Sequence, residues 1–158
     1  MTLQLTQKEQ MLLEDQKSHE EICIQKYENY AEQAQDPQLK ELFQSLAQQE
    51  KQHLNTINQI LAGQVPSMQQ QGQQLSNPGT TQKVKQQMKG AMGNKGDASL
   101  CTDMLMTEKY VSGTYDTAIF ECTDTNVREA LNHIQKEEQQ HGEEIFNYMQ
   151  SMGMYTPK

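Results

Sequence analysis

The chain has 158 residues, a formal charge of -8 and an isoelectric point near 4.9, so it lacks the basic stripe that would neutralise phosphates, and nucleic acid is not expected as a partner. No segment approaches the roughly 20 apolar residues of a membrane span, and the first ten residues hold no unbroken apolar stretch for secretion. The expectation is one soluble helical domain over 1–158, made in the cytoplasm, with a core drawn from a 34% apolar content in which Leu, Ile and Met dominate.

The first helix is expected from about Thr6 to Ala34, with Leu13, Gln16, Glu20, Cys23, Tyr27, Tyr30 and Ala34 along one face at the alternating three and four spacing of a bundle seam. Glu20 stands where a leucine belongs. Asp36 and Pro37 then open a second helix as cap and first helical residue, since the proline's missing N–H costs nothing there. Its stripe is Leu39, Leu42, Leu46, Glu50, His53, Ile57 and Ile60, closing a hairpin over 6–63.

Residues 64–97 turn to Gln, Gly, Pro and Ser and read as a linker, with Val84, Met88 and Met92 able to form a weakly amphipathic turn or two. A connection this long fits the crossover that joins two hairpins along the length of a bundle. A second hairpin over 98–152 follows. Its first helix runs from about Ala98 to Glu121, capped by Asp97 or Ser99, with Leu100, Met104, Glu108, Val111, Tyr115, Ala118 and Cys122 on the seam. Its second runs from about Thr125 to Ser151, capped by Asp124 and ending before Gly153, with Val127, Leu131, Ile134, Glu138, His141, Ile145 and Met152.

The two hairpins are copies. An offset of 88 residues carries Glu20 to Glu108, Tyr27 to Tyr115, Asp36 to Asp124, Glu50 to Glu138, His53 to His141 and Ile57 to Ile145 without a gap. Fixed-period repetition marks a duplicated unit, and an amphipathic hairpin cannot bury its apolar face alone, so an all-α four-helix bundle of two packed hairpins is expected.

The acids within the stripes point to a site. In Glu-x-x-His the carboxylate and the imidazole project from one helix face, so Glu50 with His53 and Glu138 with His141 can aim at a common point, and Glu20 and Glu108 complete a pocket for two divalent ions. Four glutamates in one core layer are too costly to be packing residues unless something neutralises them. Glu50 and Glu138 are assigned as bridges and Glu20 and Glu108 as terminal ligands. Iron suits the mixed oxygen and imidazole set, with manganese or zinc as alternatives. A metal-free layer in which protonated glutamates, histidines and tyrosines satisfy one another is the competing reading.

Tyr27 and Tyr115 either hydrogen-bond to the terminal ligands or serve as core aromatics. His19, His133, Glu21 and Glu137 are assigned to solvated faces. Cys23, Cys101 and Cys122 contain no Cys-x-x-Cys and are expected as small core residues, with neither a disulfide framework nor a cysteine-only metal site.

The order Glu20, Glu50-x-x-His53, Glu108, Glu138-x-x-His141 resembles the ferritin-like superfamily, rubrerythrin-type di-iron proteins in particular. The stretches Glu108 to Ile119, Leu131 to Gly142 and Tyr148 to Tyr155 resemble the Coat F domain of spore coat proteins. The second likeness implies a protein of an endospore-forming bacterium, deposited on the spore coat and partnered by other coat proteins or by itself as a homo-oligomer. The first implies a di-iron or di-manganese oxidase or peroxidase fed electrons by a separate partner, because no rubredoxin motif is present.

Overall fold

The computed structural model describes residues 2–66 and 95–158 and contains four helices: α1 (Gln7–Gln33), α2 (Pro37–Leu61), α3 (Lys95–Glu121) and α4 (Thr125–Ser151), with no strand among the described residues. Most of the expected linker falls on 67–94 and lies outside the described residues.

Local chemistry sets the helix ends. Thr6 caps α1 in a full capping box: its hydroxyl accepts from the Glu9 amide and the Glu9 carboxylate accepts from the Thr6 amide. Asp36 and Asp124 cap α2 and α4 by accepting from first-turn amides. Both second helices stop at a glycine in the left-handed region, Gly63 at φ +82° and Gly153 at φ +70°, and the next amides reach back to the Gln59 and Met149 carbonyls. The Leu3 amide donates to the Gly63 carbonyl, which fastens the N-terminal segment to the end of α2.

Helix α3 begins at Lys95, earlier than composition suggested, and Asp97 does not precede it as a cap. It lies inside the first turn and accepts from the Gln35 and Asp36 amides of the turn between α1 and α2. Glu9 does the equivalent in the other direction, accepting from the Thr123 amide and hydroxyl in the turn between α3 and α4.

Packing follows the seam. α1 runs antiparallel to α3, since Glu9 meets Thr123 while Tyr27 meets Glu108, and α2 runs antiparallel to α4, since Glu50 meets His141 while His53 meets Glu138. α2 and α3 therefore point the same way, so the end of one and the start of the other lie at opposite ends of the bundle. The stripes drift slightly from those expected, as 3.6 residues per turn requires: Phe43, Cys101 and Met149 are buried, while Leu42, Leu100 and Met152 are only half-buried.

The apolar core is in two pieces. One cluster gathers Leu13, Ile57, Ile60, Val111, Leu131 and Ile134 with their neighbours; the other gathers Leu39, Phe43, Leu46, Met104, Ile145 and Met149. All three cysteines are free, buried core residues, one or more in each cluster, and burial pushes their thiols up, those of Cys101 and Cys122 to about 12 and about 11. Between the clusters lies a polar layer.

Candidate metal centre

Each helix delivers one acid to that layer because the acid takes a seam position, and α2 and α4 add a histidine one turn further on. Glu20, Glu50, Glu138 and His141 are fully buried, and Glu108 and His53 are within 3% of it. All six residues expected at the site meet there.

They fall into two overlapping sets whose ligand-type atoms lie within 4.8 Å of one another, Glu20, Glu50, His53 and Glu138 in one and Glu50, Glu108, Glu138 and His141 in the other, while a third set joins His53 and His141 to Glu137. Glu50 and Glu138 are common to the first two. Each histidine turns Nδ1 inward. His53 Nδ1 lies 3.0 Å from Glu138 Oε1, 3.3 Å from Glu50 Oε2 and 3.8 Å from Glu20 Oε2. His141 Nδ1 lies 2.8 Å from Glu50 Oε1, 3.4 Å from Glu108 Oε1 and 3.5 Å from Glu138 Oε2. The two rings stack at a centroid separation of 5.5 Å.

The tyrosines are bound crosswise. Tyr27 of α1 donates to Glu108 of α3, and Tyr115 of α3 donates to Glu20 of α1 at 2.5 Å. Both phenols are held well above their usual range by burial and by the carboxylate charges around them, so they remain donors.

The electrostatics of the layer are those of too many acids in too little water. Burial and the Glu20 charge push Glu50 up to about 7, burial and the Glu138 charge push Glu108 up to about 8, and burial with the Glu20 and Glu50 charges lifts Glu138 to about 7. Glu20 goes the other way: burial opposes its charge, but hydrogen bonds from Glu50 and His53 and the His53 charge outweigh it and bring it to about 2. Burial also opposes protonation of His53 and His141, yet their carboxylate partners hold both imidazoles charged well above the ordinary histidine range.

Even with these partners, Glu20 Oε2, Glu108 Oε2, Glu138 Oε2 and His53 Nε2 are buried without a hydrogen bond. Three orphaned carboxylate oxygens, each on a ligand-type residue aimed into the layer, fit a divalent cation. The donor set of carboxylates and imidazoles suits iron, manganese or zinc.

The sequence reading missed three residues beside the layer: Glu137 and His133, both assigned to solvated faces, and Gln49. Glu137 is not a surface charge: its side chain is 13% exposed, Oε2 lies 3.6 Å from His53 Nε2, and Oε1 is paired with His133 Nε2. Gln49, which sequence reasoning passed over, places its Oε1 2.7 Å from His141 Nε2. His19 is half-buried and meets Tyr110 edge to face, at 5.5 Å between ring centroids, away from the layer.

Comparison with known families agrees with one of the two likenesses read from the sequence. The Coat F domain matches residues 96–158, the segment that contains α3, α4 and the Tyr155 tail. No curated protein and no solved structure matches the chain. No helix among the described residues is long and apolar enough to cross a membrane.

Proposed function

We propose that this chain is a spore-coat-type structural protein whose ferritin-like bundle holds two divalent cations in its central layer. The Coat F match over 96–158 supports the coat reading, and with it deposition on the spore after cytoplasmic synthesis, with other coat proteins or further copies of the chain as partners. The observation that carries the metal reading is the set of orphaned oxygens on Glu20, Glu108 and Glu138 between two Glu-x-x-His pairs.

Glu20, Glu50, His53 and Glu138 would hold one ion and Glu50, Glu108, Glu138 and His141 the other, with Glu50 and Glu138 shared. Iron is preferred, manganese and zinc being alternatives. Bound ions would supply charge neutralisation and a cross-link between all four helices. The residues of the chain supply the rest: Tyr27 and Tyr115 orient Glu108 and Glu20, and the apolar clusters on either side keep water from the layer.

The test is metal content and stability together. Protein purified without chelator should contain close to two ions per chain, and Glu50→Ala with Glu138→Ala should abolish them. Ligands gathered only in the native state add binding energy to folding energy, so chelation should lower the thermal midpoint. A metal-containing sample whose midpoint and helical content ignore chelation would overturn the coupling.

The second reading, a di-iron or di-manganese oxidase or peroxidase with an external electron donor, is supported by one observation: Tyr115 donates to Glu20 at 2.5 Å, which would set an oxidisable phenol one residue away from a bound redox metal. Repeated peroxide consumption lost in Glu50→Ala would establish it. Single-turnover oxidation of ferrous iron at most is the outcome for a coat component.

A further inference from the structure

The duplication is imperfect beside the central layer. The offset that carries His53 to His141 also carries Gln49 to Glu137 and Ser45 to His133. In the structure Gln49 and Glu137 lie crosswise, like the tyrosines. Gln49 of α2 faces the outer nitrogen of His141 on α4, with Oε1 at 2.7 Å, and Glu137 of α4 faces the outer nitrogen of His53 on α2, with Oε2 at 3.6 Å. The two histidines are thus backed by unlike groups, one by a neutral amide and the other by a carboxylate that His133 grips through its second oxygen.

The chemistry of the difference is direct. An imidazole that gives Nδ1 to a cation carries its proton on Nε2, and the acceptor of that proton fixes the ring and sets how strongly Nδ1 donates. Gln49 meets that need with a neutral hydrogen bond, whereas Glu137 stands at ion-pair distance from a His53 Nε2 that makes no hydrogen bond, so its influence on that ring is through charge. That charge stands nearest His53, at 3.6 Å from Nε2 against up to 4.8 Å from a His141 nitrogen, and with Glu137 only 13% exposed it is little screened.

We propose that Glu137 is a positioning residue that makes the two halves of the layer unequal: the His53 half takes a divalent cation first and holds it more tightly, and the His141 half, backed by Gln49, fills second. His133 holds Glu137 in place for this. The inference rests on the two-metal reading and adds an order to it.

Titration of the metal-stripped full chain with manganese(II), followed by anomalous diffraction from crystals grown at one and at two equivalents, tests it. At one equivalent the peak should lie beside Glu20 and His53, and the second position should fill only at higher concentration. Glu137→Gln should weaken the first step by about 10- to 100-fold and leave the second unchanged. The exchanged variant, Gln49→Glu with Glu137→Gln, should bring back two distinct steps with the order of filling reversed, which a merely structural role for Glu137 would not do. Even filling of both positions in the unaltered protein, or an exchanged variant that still fills beside His53 first, overturns the inference while leaving the two-metal reading intact. A chain that takes up no manganese, iron or zinc overturns both.

Discussion

At the scale of single residues, the acids of this protein do two unlike jobs, and burial alone does not separate them. Glu9 and Asp97 are as buried as the layer glutamates, at 2% and 1% exposure, but every carboxylate oxygen of theirs is spoken for by a turn amide or hydroxyl. Glu20, Glu108 and Glu138 each keep one oxygen without a partner. Removing Glu9 would strand the Thr6 and Thr123 amides, so Glu9→Ala should lower unfolding free energy by about 1–3 kcal/mol with metal content untouched. Chemical denaturation beside metal analysis checks both halves of that statement. The layer acids were legible in the sequence because each interrupts an apolar stripe, whereas Glu9 and Asp97 sit in first helical turns, where an acid is expected on local grounds and advertises nothing more. Glu137 was missed for a related reason: next to Glu138, it points about 100° away on an ideal helix, and only the closeness of α2 brings His53 within its reach.

At the scale of the helix, α3 differs from its copy α1 on its outer face. Met106, Tyr110 and Phe120 are 66%, 64% and 88% exposed, and Gly113 between them has open space where a Cβ would stand. These four share one face at helical spacing, and Met106 and Phe120 stand seven residues either side of the glycine. Two copies packed antiparallel about a two-fold axis at Gly113 would set Met106 against Phe120 twice and bring Lys109 of each toward Asp116 of the other. On the proposed coat reading, such a face would serve assembly. Tyr110→Ser with Phe120→Ser should therefore shift the protein toward monomer in sedimentation velocity without changing its metal content, and a parent protein that is monomeric at all concentrations would remove this contact from consideration. The helix ends were readable from caps and glycines at α1, α2 and α4; α3 was not, because Lys95 and Gly96 follow a run of Gly, Gln and Met with no periodic signal to set a boundary.

At the scale of the whole molecule, the layer makes stability depend on pH in a direction opposite to that of most acidic proteins. In metal-free protein, Glu50, Glu108 and Glu138 titrate at about 7 to 8 against 4.5 when exposed, and His53 and His141 titrate well above 6.5. Between about pH 6 and about pH 9 the native state consequently binds more protons than the unfolded one, and stability falls as pH rises. Glu20, lowered to about 2, contributes stability lost only in strong acid and leaves that window unaffected. Cations bound as proposed would compete with those protons, so metal affinity would rise with pH across the same window. Thermal unfolding of chelated protein should shift to lower temperature from about pH 6 to about pH 9, and metal-loaded protein should not follow it. A chelated midpoint that climbs over this range would contradict the protonation pattern of the layer.

The crosswise contacts have one more meaning. Tyr27 answers Glu108 and Tyr115 answers Glu20; Glu9 holds the turn at Thr123 and Asp97 the turn at Gln35; Gln49 backs His141 and Glu137 backs His53. In each pairing a hairpin finds its counterpart only in the other, so neither half holds a complete set within itself. The chain is in effect a dimer whose two subunits share one backbone, and the freedom gained by that fusion is visible in it: once the halves no longer had to be identical, Gln49 and Glu137 could part ways.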